Sequence, residues 1–287
     1  MRKLLISLLG GMALFCLQPG LRAQNFKEQI SKEFALKGEA ANAVLLIYNI
    51  NGFIRVEGYN GDKVILEIDK TISADDNAAL EKGKQEFKLG FDQHEDSITA
   101  YIAEPFDSRP HYHWYNNDTR KIEYDFNVDF TVKVPNSMNL RVSTVNEGEI
   151  TISNVWGSLS VNNVNAGITI TDAKGTTLAN TVNGPISINY LSNPPEQSSY
   201  YTINGDIRVT YKTDLSADLQ FNSMHGEFYT DFTNTEVLPA TVTRTEKKND
   251  GKMVYKINKI NRVRFGKGGK LFKFETLNGD VYIKKQS

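Results

Sequence analysis

A short phrase recurs along the chain and constrains its fold more than any other feature. In each copy a polar and an apolar residue precede Asn, Gly follows directly or one residue later, and a short run then alternates apolar and polar side chains. Alternation with period two is typical of a strand with one buried face. The copies contain Asn51, Gly52, Asn146, Gly148, Asn165, Gly167, Asn183, Gly184, Asn204, Gly205, Asn278 and Gly279, and in one further copy His225 precedes Gly226.

The spacing of the copies predicts coils of about 19 residues. Between residues 148 and 226 the turn glycines lie 19, 17, 21 and 21 residues apart. Gly157 and Gly175 lie between them, and each leads into another short alternating run. Each period therefore predicts two strands and two turns, with Asn-Gly supplying the positive φ that a sharp turn favours.

Two all-β architectures fit this pattern. In a β-helix or β-solenoid each period forms one coil, equivalent strands stack in parallel, and the asparagines can hydrogen-bond along a ladder. In a β-sandwich or antiparallel meander the strands reverse at hairpins, for which Asn-Gly is also a strong signal. The same residue type at the same place in each copy favours the solenoid, because a meander needs no such identity.

We expect one elongated solenoid domain over residues 24–287, with an insertion over about 70–122. Ala74 to Phe87 predicts a short helix inside the insertion. The polar stretch from Thr245 to Lys252 predicts a surface loop. The last copy of the repeat, residues 276–283, is expected to close the end of the domain with its strand.

The first 23 residues have the pattern of a secretory signal peptide. A basic start leads into a 14-residue apolar stretch, Leu4 to Leu17, which is shorter than the roughly 20 residues of a membrane-spanning helix. Small Ala23 then allows cleavage before Gln24. We therefore expect export to the periplasm or the cell surface, with no transmembrane span in the mature chain.

Cleavage at this point also changes the composition. It removes Cys16, the single cysteine, so the mature chain would contain neither a disulfide nor a Cys-based zinc site. The remaining chain has 30 basic and 34 acidic residues, a net charge of −4. Proteins that bind nucleic acid normally carry a basic surplus, so nucleic acid is not an expected partner.

The repeat resembles a known family. The phrase around Asn51-Gly52, the segment 130–135, the Thr-Val-Asn-Gly and Thr-Ile-Asn-Gly copies and the ending 276–283 resemble a bacterial domain of unknown function labelled "putative adhesin". They are similar to the GIN-type head domains of exported proteins from Bacteroidota. The resemblance covers about residues 40–285. It implies a β-helix-like fold at the cell envelope, and it does not imply a catalytic site.

The aromatic segment 106–115 is the candidate ligand-binding surface. Arginine and aromatic side chains are frequent at binding hot spots, so this segment could stack on a sugar or pack against a partner. It could instead fold over one end of the solenoid, where unpaired strands need a cap. The candidate residues are Arg109, His111, Tyr112, His113, Trp114 and Tyr115. His111 and His113 have metal-ligand spacing but no third ligand nearby, so we expect no metal site and no cofactor.

Carboxylates follow four of the turn glycines, at Glu149, Asp206, Glu227 and Asp280. Stacked coils would make Asp206 and Glu227 neighbours, as a general acid and base require. Ordinary turn chemistry also explains acidic residues at these positions, and we favour that explanation. No nucleophile elbow, dinucleotide fingerprint or phosphate loop is present in the sequence.

The sequence therefore predicts a non-enzymatic, exported envelope protein that acts as an adhesin-like structural or binding module. Its expected partner is an envelope glycan or protein, and its oligomeric state is left open. One alternative is a carbohydrate-active enzyme with a β-helix fold that uses Asp206 and Glu227 on a polysaccharide. The other is a periplasmic sensor or regulatory partner.

Overall fold

The computed structural model describes residues 24–110, 122–249 and 252–286, and over 241–249 and 252–260 it describes the backbone alone. The expected signal peptide, residues 1–23, lies outside the described residues. The described chain is all-β, with a 3₁₀ turn (Ala40–Asn42) and one α-helix, α1 (Asn77–Glu86). The strands are β1 (Gln24–Ala35), β2 (Val44–Tyr48), β3 (Ile54–Tyr59), β4 (Lys63–Ala74), β5 (Lys88–Gln93), β6 (Ser97–Glu104), β7 (Asp125–Pro135), β8 (Asn139–Ser143), β9 (Ile150–Ser153), β10 (Leu159–Asn162), β11 (Ile168–Ala173), β12 (Thr177–Asn180), β13 (Ile186–Tyr190), β14 (Ser199–Tyr201), β15 (Ile207–Tyr211), β16 (Ala217–Ser223), β17 (Phe228–Thr230), β18 (Thr235–Asn249), β19 (Lys252–Phe265), β20 (Lys270–Thr276) and β21 (Val281–Lys285).

These strands form two mixed sheets. Sheet A has the order β1-β4-β7-β3-β9-β11-β13-β15-β21-β17, and sheet B has the order β18-β19-β16-β20-β14-β12-β10-β8-β2-β6-β5. Buried side chains of both sheets belong to one continuous core. Two packed sheets fit the sandwich-like alternative, but neighbouring strands of the repeat run parallel, unlike those of an antiparallel meander.

Successive strands of the repeat alternate between the sheets. The first strand of each pair lies in sheet B and the second in sheet A, and the pairs follow one another in the same order in both sheets. Neighbours within this series pair in parallel. In spatial order the pairs are β6/β7, β2/β3, β8/β9, β10/β11, β12/β13, β14/β15, β20/β21 and β16/β17.

The register of the parallel strands aligns equivalent apolar residues. Ile150, Ile168, Ile186 and Ile207 pair in succession across sheet A, and each side chain is buried. Complete burial of one such side chain contributes roughly 1.5–3 kcal/mol. A slip of one residue would turn these side chains outward and polar neighbours inward, so the alternating pattern fixes the register.

The segment expected as an insertion contributes strands to the same two sheets. In sheet B, β6 pairs in parallel with β2 and antiparallel with β5. In sheet A, the end of β4 pairs antiparallel with β7. The helix predicted for residues 74–87 is α1, and Asp76 caps it by accepting the Ala79 backbone N–H at 2.8 Å. Ala79, Leu80 and Gly83 form the buried face of α1.

The structure differs from two expectations about the C-terminal part. Residues 245–252 were expected to form a loop, but 245–249 and residue 252 belong to the long antiparallel hairpin of β18 and β19. Backbone pairing can extend a hairpin whatever the polarity of its side chains, and composition alone does not reveal this. The final strand, β21, does not close sheet A, because it lies between β15 and β17.

Three fully buried tyrosines join the two sheets. The Tyr200 hydroxyl of sheet B lies 2.8 Å from that of Tyr190 and 3.1 Å from that of Tyr211, both in sheet A. The rings of Tyr190 and Tyr211 stack with centroids 5.2 Å apart. Burial raises the pKa of all three phenols, because a phenolate would be poorly solvated there.

This cluster predicts alkaline instability. The raised pKa values preserve stability at pH below about 10, the phenol's ordinary value, and stability is lost as the pH rises from there towards the folded-state pKa. We expect the urea midpoint to fall above about pH 10. Tyr200→Phe should make the unfolding free energy fall less steeply with pH. The slope should change by up to about 1.4 kcal/mol per pH unit, which corresponds to one proton. Urea melts between about pH 8 and 11 measure this, and an unchanged slope would contradict it. Tyr201→Phe, which changes the neighbouring half-buried residue, is the matched control.

Candidate functional site

The predicted turn asparagines form one hydrogen-bonded row. From Asn146 onward, each donates its side-chain amide N–H to the side-chain oxygen of the preceding asparagine in the row, over 2.7–3.1 Å. Asn51, at the other end, donates to the Phe126 backbone carbonyl at 3.0 Å. The His225 Nδ1 lies 3.0 Å from the Asn278 side-chain oxygen at one end of the row. In order the row runs Asn51, Asn146, Asn165, Asn183, Asn204, Asn278 and His225.

Close backbone approach explains the turn glycines better than positive φ does. Gly52 has a φ of 113°, but Gly184 and Gly279 do not have positive φ values. A Cβ atom on Gly279 would overlap the Gly205 carbonyl of the neighbouring turn. Gly205 is packed against Gly184 in the same way. Contacts with the neighbouring turn also restrict Gly148 and Gly226, whereas Gly167 is less crowded.

Sequence reasoning missed a second row, formed by the first polar residue of each copy. Thr202 is completely buried, and its hydroxyl donates to the Gly184 carbonyl at 2.9 Å. The available signal was the recurrence of Thr two residues before Asn. The same bond from one turn to the next is made by Thr144 to Gly52, Asn163 to Gly148, Thr181 to Ala166, Thr276 to Gly205 and Ser223 to Gly279.

Loss of one such bond should destabilise the fold measurably. Thr202→Val keeps the side-chain volume but removes the donor to the buried Gly184 carbonyl, which we expect to cost about 1–2 kcal/mol of unfolding free energy. Thr210→Val, on the outward face of β15, is the matched control and should change the stability by less than about 0.5 kcal/mol. Urea denaturation measures both, and equal midpoints for the two variants would refute the role of the buried row.

Of the predicted ligand residues, the structure describes Arg109 alone. Its guanidinium forms ion pairs with Asp107 at 2.7 Å and Asp92 at 3.1 Å. It also lies over the Tyr101 ring, 3.9 Å from the centroid. The hydrogen bond with Asp107 raises the pKa of Arg109, so this side chain is held in place by its own chain as a cation. The other candidates lie outside the described residues: His111, Tyr112, His113, Trp114 and Tyr115.

The expected neighbours Asp206 and Glu227 are separated by Asp280. Asp206 accepts the Asp280 backbone N–H at 2.9 Å, and Asp280 accepts the Glu227 backbone N–H at 2.8 Å. The expectation was wrong because β21 inserts between β15 and β17. Glu149 lies just before β9, three strands away from β15 in sheet A.

Beside these carboxylates, three side chains form a column on the outer face of sheet A, which we call the tyrosine column: Arg208, Tyr282 and Tyr229. Arg208 pairs with Tyr282 in register, and Tyr282 pairs with Tyr229. The Arg208 guanidinium lies 4.6 Å from the Tyr282 ring centroid. The two tyrosine rings stack with centroids 5.1 Å apart and planes 13° apart. These residues are distant in sequence, so no local motif predicts the column.

Carboxylates hold the column from one side. Arg208 forms an ion pair with Asp206 at 2.6 Å. Tyr282 donates its hydroxyl to Asp280, and Tyr229 donates its hydroxyl to Glu227, each over 3.0 Å. These hydrogen bonds raise the pKa of both phenols, because the neighbouring carboxylate stabilises the protonated donor. The column therefore presents neutral aromatic rings beside negative charge.

The described residues also bear on metal binding and membrane insertion. Among the described side chains, those of residues 24–110, 122–240 and 261–286, no three His, Cys, Asp or Glu come together in a way that could hold a metal ion. Over residues 24–110, 122–249 and 252–286, no helix is both long and apolar enough to cross a membrane.

Comparison with known proteins gives distant structural likenesses. No family model matches the chain, and no curated protein matches it significantly. A crystal structure of a "putative cell adhesion protein" from Clostridium sporogenes is similar at 11% identity and a TM-score of 0.42, over 91% of this chain and 100% of that one. A "putative adhesin" from Bacteroides fragilis is similar at 9% identity and a TM-score of 0.33, over 90% and 97%. A "putative lipid binding protein" from Parabacteroides distasonis is similar at 10% identity and a TM-score of 0.26, over 91% and 97%. At these values the likenesses assign no function.

Proposed function

We propose that this chain is a non-enzymatic, exported protein of the cell envelope that acts as an adhesin-like binding module. Its repeat is a β-solenoid, in which each coil contributes one strand to sheet B and one to sheet A. The matched strand orders and the side-chain rows between turns support this description. The signal-peptide pattern of residues 1–23 supports export to the periplasm or the cell surface.

The tyrosine column is the observation that carries the binding role. Tyrosine and arginine are enriched among the side chains that dominate binding energy, since they offer large rigid surfaces with polar tips. Tyr229 is 44% exposed, and the Arg208 side chain is 51% exposed. The parallel strands below fix both side chains on a rigid face. Residues 106–115 remain a second candidate surface. The sequence predicts either a ligand site or a cap for them.

The carboxylates beside the column support a structural role better than catalysis. Asp206 accepts a backbone N–H and the Arg208 guanidinium. Asp280 accepts a backbone N–H and the Tyr282 hydroxyl, and Glu227 accepts the Tyr229 hydroxyl. Each of these side chains positions a neighbour from its own chain. We therefore place them in the support of the binding surface rather than in an acid–base pair.

Immobilised protein spanning residues 24–287 should capture specific glycans or proteins from bacterial envelope extracts. Tyr229→Ala should reduce capture at least tenfold if the column is the main contact, because hot-spot truncations often cost 2 kcal/mol or more. Arg55→Ala is the control, since Arg55 lies on the same face at a distant strand. A glycan array and mass spectrometry of the captured proteins identify the ligand.

Hydrolysis assays separate this function from the enzyme alternative. We expect no turnover of envelope or plant polysaccharides by the purified protein. Robust hydrolysis that is lost on changing Asp206 and Glu227 to Ala would overturn the binding role in favour of catalysis. Capture that is the same for Tyr229→Ala and wild-type protein would instead move the contact away from the column.

A further inference from the structure

β17 forms an open edge of sheet A. It is the last strand of that sheet in the described chain, and its described pairing is with β21. The Glu227 carbonyl accepts the Val281 N–H on the β21 side. Because backbone polar groups alternate in direction along a strand, those of Phe228 and Thr230 point away from β21. These groups offer hydrogen bonds to an added strand.

The tyrosine column ends at this edge. One face of the Tyr229 ring stacks on Tyr282, and the opposite face points beyond the last strand. Among the described side chains, Tyr282 supplies the aromatic contact of Tyr229, and none supplies a cation over its ring. The exposed Glu227 carboxylate accepts the Tyr229 hydroxyl beside this free face.

The other end of the column shows what fits such a face. There the Arg208 guanidinium covers Tyr282 and pairs with Asp206, in the same row of carboxylates as Glu227. Arg208 therefore combines a cation–π contact with an ion pair. Tyr229 and Glu227 repeat the ring and the carboxylate at the open edge, without a cation of the described chain.

We infer that the β17 edge binds an extended peptide whose arginine or lysine stacks on Tyr229 and pairs with Glu227. The peptide backbone adds to sheet A through the outward groups of Phe228 and Thr230. The net charge of −4 for residues 24–287 favours the approach of a basic partner. This inference rests on the proposed binding function and names the chemistry of its partner.

A fluorescent seven-residue peptide of alternating Thr and Val with a central Arg is the probe, and its counterpart with a central Gln is the reference. Fluorescence polarisation with the chain of residues 24–287 should show tighter binding of the Arg peptide by about two- to fivefold, the value of an exposed cation–π contact. N-methylation of the peptide groups that face β17 should abolish binding of both.

Variants then assign the contact. Tyr229→Leu and Glu227→Gln should each remove most of the preference for Arg over Gln. Tyr201→Leu and Glu57→Gln, on outward positions elsewhere in the sheets, should keep it. Thermal melts of each variant show that the fold is retained. Raising the salt concentration from about 0.05 to 0.5 M should lower the affinity for the Arg peptide more than the affinity for the Gln peptide.

Three results would overturn the inference. The first is equal affinity for the two peptides. The second is an unchanged preference for Arg over Gln in Tyr229→Leu. The third is binding of neutral oligosaccharides, and not of the basic peptide, at Tyr229. The last result would make the free ring face a sugar platform. If envelope ligands are captured while the Arg peptide is not bound, the proposed function stands and this inference fails. If neither is bound, the binding function fails as well.

Discussion

The structure depends on the close parallel stacking of its turns. Neighbouring turns approach until the backbone of one lies against the backbone of the next, which leaves no room for a Cβ at Gly205 or Gly279. This approach buries backbone carbonyls that water cannot reach, and buried acceptors need donors. The threonine hydroxyls at 202 and 276 supply them from the next turn. Glycine and threonine thus recur together because the close approach excludes a Cβ and buries an acceptor. The asparagines add a side-chain hydrogen bond from turn to turn.

The same stacking produces the outer surface. Strands in parallel register place equivalent positions side by side, so each face of a sheet carries rows of side chains from different strand pairs. Where the equivalent residues are small, as at Thr151, Thr169 and Ser187, the row is polar. Further along the same row the residues become Arg208, Tyr282 and Tyr229. The tyrosine column arises from this change in side-chain type on an otherwise repeated scaffold.

The chain path changes which residues are neighbours. After β17 the chain forms the hairpin of β18 and β19, and it then returns to place β20 and β21 inside the two sheets. The last copy of the repeat therefore lies between two earlier copies. This return brings Asp280 between Asp206 and Glu227 and Tyr282 between Arg208 and Tyr229. The candidate site is created by that step.

The sequence by itself determined the strands of the repeat, their inward faces and the turn positions, because alternation and the Asn-Gly phrase are local patterns. It also predicted α1, whose cap and buried face are encoded within a few residues. Only the tertiary structure decided the order of the strand pairs, the extended hairpin and the tyrosine column. Alternative parallel pairings of equivalent strands have similar free energies, because each copy offers the same strand to its neighbour. The long-range path of the backbone selects among these arrangements, and a single repeat does not contain that information.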